Sequence, residues 1–112
     1  MIMVELSVVI VNYKVPYYLL QCLDAVKKAS SLIRCEVIVV DNASDDNSQA
    51  LVEKYFPTVI YVANEKNEGF AKANNKAIAM AKAPYVLLLN PDTIIAEDAL
   101  QNVCHFAKNM PQ

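Results

Sequence analysis

At 112 residues and a formal net charge of −2, the chain is sized for one domain and lacks the basic surplus that nucleic acid or an anionic membrane surface demands. Its apolar fraction of 55% suffices for a core without disulfides or a structural metal. A single glycine, Gly69, excludes a phosphate-cradling loop built from several glycines.

The first apolar run, Leu6–Val11 (LSVVIV), is rich in β-branched residues and predicts a strand. It is far shorter than the ~18 apolar residues of a membrane span, and nothing at the N-terminus resembles a signal peptide. Residues 16–28 follow with Leu19, Cys22, Leu23 and Val26 at helical spacing and Pro16 in the first turn. Cys35–Val40 (CEVIVV) predicts a second strand. The segment Ser48–Phe56 pairs Leu51 with Tyr55 and Val52 with Phe56 on helical faces, and Pro57 stops it. Val59–Ala63 (VIYVA) predicts a third strand. A helix over residues 70–83 carries a narrow stripe of Phe70, Ala73, Ala77 and Ala81, ended by Pro84. Tyr85–Leu89 (YVLLL) predicts a fourth strand, and a last helix runs from about Glu97 to Lys108 with Leu100, Val103 and Ala107 inward.

Three of the four apolar runs are nearly continuous, as strands buried on both faces require. Regular β-α alternation then gives an α/β class: a three-layer, Rossmann-like parallel sheet with helices on both faces, one domain over residues 1–112.

In such sheets ligands bind outside the carboxyl ends of the strands. There the sequence releases Asn12-Tyr13-Lys14, then Asp41 through Ser48, then Asn64 through Gly69, then Asn90-Pro91-Asp92-Thr93. Asn, Asp and Ser also make turns and helix caps, which accounts for at least two residues of the Ser44–Ser48 stretch. Asp41 and Asp92 sit several residues before the next helix, where capping explains less. Both are expected to face one cleft at the sheet's carboxyl edge. The residues after the first strand exclude a G-x-G-x-x-G dinucleotide site and the acidic pair of a phosphoacceptor receiver, and G-x-x-x-x-G-K-[ST] is absent.

Cys22, Cys35 and Cys104 are an odd set with no C-x-x-C spacing and read as reduced core thiols of a cytoplasmic protein. His105, the sole histidine, has no metal-binding cluster around it and reads as a surface or packing residue.

Four blocks in order resemble the family-2 inverting glycosyltransferases of the GT-A fold: Ser7-Val8-Val9-Ile10-Val11-Asn12-Tyr13; Val39-Val40-Asp41-Asn42-Ala43-Ser44-x-Asp46; Asn67-x-Gly69-Phe70-Ala71-Lys72-Ala73-Asn74-Asn75; and Leu87-Leu88-Leu89-Asn90-Pro91-Asp92. The resemblance implies that Asp41 accepts a hydrogen bond from the base of a nucleotide diphosphate-sugar, of the UDP or dTDP type. Asn12 and Tyr13 would line the base and ribose, and Asn42 and Ser44 would belong to the same nucleotide-binding set. Asn67, Gly69, Lys72 and Asn75 would border the nucleotide and diphosphate, and Asn90 would also be nucleotide-binding. Asp92 matches the last Asp of the family's D-x-D motif and would hold a divalent metal, Mg or Mn, a natural substitute for a glycine loop at a charged leaving group. Asn90 stands where that motif has its first Asp, as in a rhamnosyltransferase-like branch. Asn47 replaces a family glycine and tolerates a left-handed backbone.

Family members carry the acceptor site and the catalytic Asp or Glu in a second half, whereas about twenty residues follow Asp92 here. Glu97 and Asp98 read as acids at a helix N-terminus. The chain is therefore expected to be a donor-binding half with no catalytic residue, inactive alone, and self-associating through apolar surface and an open strand edge, that of the fourth strand. The alternative is a non-catalytic nucleotide-binding or interaction module, which the downstream reading frame would discriminate.

Overall fold

The computed structural model describes residues 3–110. Four parallel strands, β1 (Leu6–Asn12), β2 (Cys35–Asp41), β3 (Ile60–Ala63) and β4 (Tyr85–Leu89), lie in the order β3-β2-β1-β4. They alternate with four helices, α1 (Pro16–Ala29), α2 (Ser48–Tyr55), α3 (Phe70–Met80) and α4 (Ala99–Lys108). A short 3-10 turn, Ser30–Leu32, follows α1. The expected three-layer α/β architecture is the observed one.

Register explains the layers. Ile10 pairs with Val39 and Leu89, and Val9 with Ile38 and Leu88, so alternate residues of every strand share a face. Leu6, Val8, Ile10 and Val39 pack with Leu19, Cys22, Leu23 and Val26 of α1, Val52 of α2, and Leu100 and Cys104 of α4. Val9, Val11, Ile38 and Val40 meet Ala73 and Ala77 of α3 on the other face. Three of the described helices thus cover one face and one covers the other. The small side chains of α3 let it lie close over β1 and β2.

Three expectations are corrected. β4 is not buried on both faces: Val86 and Leu88, on the α3 side, are 38% and 46% exposed, because α3 does not reach over the edge strand. In α4 the buried line is Leu100 and Cys104, an i, i+4 pair, while Val103 is exposed. The third helix stops at Met80 rather than near Ala83. Ala81 is already extended, and the freed amides of Lys82 and Ala83 donate to Glu36 Oε2 (2.6 Å) and Ser7 Oγ (3.2 Å). Ser7 Oγ in turn donates to the same Glu36 oxygen. This polar latch lets the chain leave the helix and enter β4 beside β1 without orphaned backbone groups.

Candidate functional site

The polar residues sit where each strand ends. Asn12 and Asp41 are register partners at the carboxyl ends of β1 and β2, both buried and on the same face as α1 and α2. Asn12 Nδ2 donates to Asp41 Oδ1 at 2.9 Å. Ser44 Oγ donates to the same oxygen, and Ser44 N donates to Oδ2 at 3.2 Å. Ser44 Oγ also accepts from Lys14 N at 2.8 Å. One hydroxyl therefore ties the loop after β1 to the loop after β2. Both loops are strained: Lys14, Ala43 and Asp45 have φ of 55°, 59° and 53°. A left-handed backbone costs a side-chain-bearing residue roughly 1–2 kcal/mol, and the Asp41–Ser44 bonds hold it there. Asn47, which could have adopted that geometry, has φ −88°.

Beneath this group lies Tyr61 of β3. Its hydroxyl and the Asn12 Oδ1 are both buried and both lack a hydrogen-bond partner. Burial first, and then the negative charge of Asp41, push the Tyr61 hydroxyl above its ordinary pKa, so it remains a protonated donor.

Asn42 points to the opposite face, the pleat alternating at each residue. Its Nδ2 donates to Gly69 O at 3.1 Å, and its Oδ1 accepts from Asn64 Nδ2 (3.0 Å) and Glu68 N (3.3 Å). Lys76 Nζ braces the same loop through Asn64 Oδ1 (2.6 Å) and Glu68 Oε1 (2.8 Å). Asn67 Oδ1 accepts from Gly69 N at 2.8 Å. Gly69 itself has φ 84° and ψ 170°, a region open essentially to glycine alone. A Cβ there would meet nothing within 4 Å. Gly69→Ala is therefore expected to lower stability by about 1–3 kcal/mol through backbone strain and not through a clash. Urea denaturation of the two chains checks this, and an unchanged midpoint would refute it.

Between the ends of β1 and β4, on the α3 side, an open cleft of about 790 Å³ has Asn42, Asn67, Gly69, Asn90 and Asp92 as its polar floor. Tyr13, Tyr18 and Phe70, all exposed, form its walls. Cys22 Sγ of α1 lies 3.8 Å from Asn90 O. Burial and then the Asp92 charge push that thiol up to about 11. Asp41 opens instead into a separate hollow of about 550 Å³ lined with Asp45, Asp46, Asn64 and Glu65.

Six residues named from the sequence thus share the cleft: Tyr13, Asn42, Asn67, Gly69, Asn90 and Asp92. Asp41, expected to face the same cleft as Asp92, does not: it occupies its own hollow at the same sheet edge, because its side chain takes the opposite side of the pleat from Asn42, with Asn12 and Ser44 packed around its carboxylate. Lys72 and Asn75 lie exposed on α3 and line neither hollow. Sequence reasoning missed Tyr18, Phe70 as a cleft wall, and Tyr61. Tyr18 lies off the buried stripe of α1, which was the available signal. Phe70 keeps the helical period of the Ala73 and Ala77 stripe, but the buried part of that stripe begins only at Ala73. Among the described residues no group of three or more His, Cys, Asp or Glu could hold a metal by itself.

Comparison with known proteins places this geometry. The model of the family described as Glycosyl transferase family 2 matches residues 7–111. Glycosyltransferase GlyG of Streptococcus pneumoniae is 29% identical over 101 residues, covering 88% of this chain and 33% of that protein. Poly(ribitol-phosphate) beta-N-acetylglucosaminyltransferase TarP of Staphylococcus aureus is 34% identical over 76 residues, covering 65% of this chain and 23% of that protein. The chain thus spans about a third of the first relative's length and less of the second's. Among solved structures, S. aureus TarS 1-349 in complex with UDP superposes with a TM-score of 0.81 at 27% identity, over 93% of this chain and 32% of that TarS fragment. The mannosyltransferase PcManGT of Pyrobaculum calidifontis, in complex with GDP-Man and Mn2+, superposes with a TM-score of 0.82 at 25% identity, over 95% of this chain and 33% of that one.

Proposed function

The chain belongs to glycosyl transferase family 2, and we propose that it is the donor-binding part of an inverting enzyme that moves a sugar from a nucleotide diphosphate to an acceptor hydroxyl. The observation that carries this reading is the Asp41 carboxylate. Its Oδ1 already accepts from Asn12 and Ser44, and its Oδ2 accepts from one backbone amide. A carboxylate oxygen has two acceptor positions, so Oδ2 retains one. Uracil and thymine offer a single ring N–H and fit that vacancy. Guanine offers a ring N–H beside an amino group and asks for two acceptors. The donor is therefore of the UDP or dTDP type, as the UDP-bound relative supports. In this reading Ser44 and Asn12 hold Asp41 and do not touch the nucleotide, while the exposed ring of Tyr13 stacks on the base or ribose.

Asp92 serves the diphosphate. It is exposed, it is the one carboxylate of the cleft among the described residues, and Asn90 stands beside it. Such a donor set is too small to hold an ion unaided. It fits a Mg or Mn ion that takes its other ligands from phosphate oxygens and water. Bound there, the ion would offset charge on the departing diphosphate. The Mn2+-bound relative supports this assignment. The Asn90-Pro91-Asp92 form of the motif is the basis for proposing the rhamnosyltransferase-like branch.

Neither Glu97 nor Asp98 lines the cleft: Glu97 borders a different hollow with Gln21 and Lys28. We assign no base to either. The 112-residue chain is expected to transfer no sugar by itself, and measured transfer would return both residues to consideration. No helix among the described residues is long and apolar enough to cross a membrane. The three free cysteines are the basis for proposing a cytoplasmic location. Self-association through the exposed face of β4 belongs to the same reading.

Calorimetric titration with UDP, dTDP and GDP, with and without Mn, tests the function. UDP or dTDP should bind more tightly than GDP, and Mn should strengthen binding. Tighter binding of GDP would contradict the role of Asp41.

A further inference from the structure

We infer that Lys76 is a positioning residue for the nucleotide cleft: it does not line the cleft, yet through Asn64 it sets the orientation of the Asn42 carboxamide that holds the cleft floor at Gly69. The inference rests on the reading of that cleft as the site of the nucleotide diphosphate.

The relay is an unbroken run of hydrogen bonds. Lys76 Nζ donates to Asn64 Oδ1 at 2.6 Å and to Glu68 Oε1 at 2.8 Å. Asn64 Nδ2 donates to Asn42 Oδ1 at 3.0 Å, and the same oxygen accepts from Glu68 N at 3.3 Å. Asn42 Nδ2 then donates to Gly69 O at 3.1 Å. Asn42 and Gly69 line the cleft, and Lys76 and Asn64 do not. Both asparagines are buried, Asn42 at 2% exposure and Asn64 at 9%. Their backbones are fixed at the sheet edge: Asn42 N donates to Asn12 O and Asn64 N to Asp41 O, each at 2.9 Å.

Direction in this relay starts at the lysine. The nitrogen and oxygen of a carboxamide are nearly the same size, so partners alone decide which way each faces. An ammonium group only donates. It therefore draws Asn64 Oδ1 and leaves Asn64 Nδ2 for Asn42. Asn42 answers with its oxygen, and its nitrogen falls to Gly69 O. Three bonds thus hold the Glu68–Gly69 pair, at the Glu68 amide, the Glu68 carboxylate and the Gly69 carbonyl. Gly69 is also where the loop turns into α3, so the floor and the Phe70 wall are set together. Without the ammonium, Asn64 can turn its oxygen toward Asn42 Oδ1, acceptor against acceptor, and the Glu68 carboxylate loses its tie. The nucleotide must then order the floor as it binds, at a cost in affinity.

The test is Lys76→Met, which keeps the length of the side chain and removes every donor. Lys76→Arg stands beside it as the conservative variant, and Lys82→Met, just beyond the far end of α3, removes the same charge elsewhere. Titration with UDP should show a loss of about fivefold for Lys76→Met, the worth of one hydrogen bond, and of less than about twofold for the other two. Asn42→Ala cuts the relay at the cleft, so adding Lys76→Met to it should cost less than about twofold more. An undiminished loss in that background, or an equal loss for Lys82→Met, would assign the effect to attraction of the diphosphate by charge and overturn the inference. So would unchanged UDP affinity in Lys76→Met. In the nucleotide-free chain, the side-chain amide resonances of Asn64 and Asn42 should shift in Lys76→Met and return toward their places in Lys76→Arg; an unmoved Asn42 signal would break the relay at that link. If the unaltered chain binds no UDP, the reading of the cleft fails and takes the inference with it, a result distinct from an unaltered chain and a Lys76→Met that bind equally.

Discussion

Replacing Asp41 by alanine is expected to weaken UDP or dTDP binding about 10- to 100-fold without metal, as loss of a hydrogen bond to a charged group does. Replacing Asp92 by alanine should leave metal-free affinity within about threefold, because its exposed carboxylate touches the diphosphate only through an ion. With Mn present the order changes. The unaltered chain and Asp41→Ala should both gain affinity, and Asp92→Ala should gain none. Asp41→Ala also leaves the Ser44 amide without its acceptor and Asn12 Nδ2 with only the longer contact to Ser44 Oγ, 3.4 Å, in a segment where Ala43 and Asp45 are already strained. A stability loss of ~1–3 kcal/mol should accompany it, so titrations belong well below the melting temperature. Equal, metal-independent losses in the two variants would refute the division of labour between the two hollows.

At crystallisation concentrations the chain should be a dimer or larger, and Leu88→Lys should shift it toward monomer by about 100-fold or more in dissociation constant. β4 is an edge strand, with one row of backbone groups unpaired. Its α3-side residues, Val86 and Leu88, are exposed. Ile78 of α3 is 42% exposed as well. Lys76, on the flank of α3 toward β3, reaches Asn64, and Ile78 lies on the opposite flank, toward β4. Apolar surface is thus gathered along the one edge able to add a strand. In a symmetric dimer each substitution acts twice, and burial of one leucine is worth about 1.5–3 kcal/mol. Sedimentation of both chains across concentration decides it. A monomer for the unaltered chain at high concentration would rule out the association, and an undiminished Leu88→Lys dimer would place the contact elsewhere.

The elements and their order could be read from the sequence because four apolar runs and four amphipathic stretches alternate without ambiguity. What escaped reading arose from tertiary placement. Ala81 looked helical because alanine keeps the period, yet Ser7 and Glu36, distant in sequence, capture the next two amides. Val103 and Cys104 differ by one position, and only the site where α4 docks decides between them. The exposure of Val86 and Leu88 could not be foreseen either, since a run of Val and Leu does not say how many helices cover each face. For the site, strand-end logic pointed to Asp41, Asn42, Asn90 and Asp92, which the structure places at the carboxyl edge of the sheet. It could not tell that Asp41 and Asn42, adjacent in sequence, face opposite sides of the sheet and open into separate hollows. Tyr61 was hidden inside an apolar run, where nothing sets it apart, and only the register shows it on the face of Asp41.

The strand order also has a consequence for biosynthesis. As the chain leaves the ribosome, β1 can pair with β2 early, and β3 can add beyond β2 soon after. The other edge of β1 must wait for β4: Leu6 meets Tyr85, and Ile10 meets Leu89, across most of the chain. Until then β1, buried along its whole length in the finished fold, presents an open edge, and the core under α1 lacks Leu100 and Cys104, which arrive later still. Such late, long-range closure slows folding and leaves a nascent species that can pair with its neighbours on a polysome. Yield from rapid expression should therefore depend on chaperone supply and on translation speed across residues 64–89, more than on the stability of the finished fold.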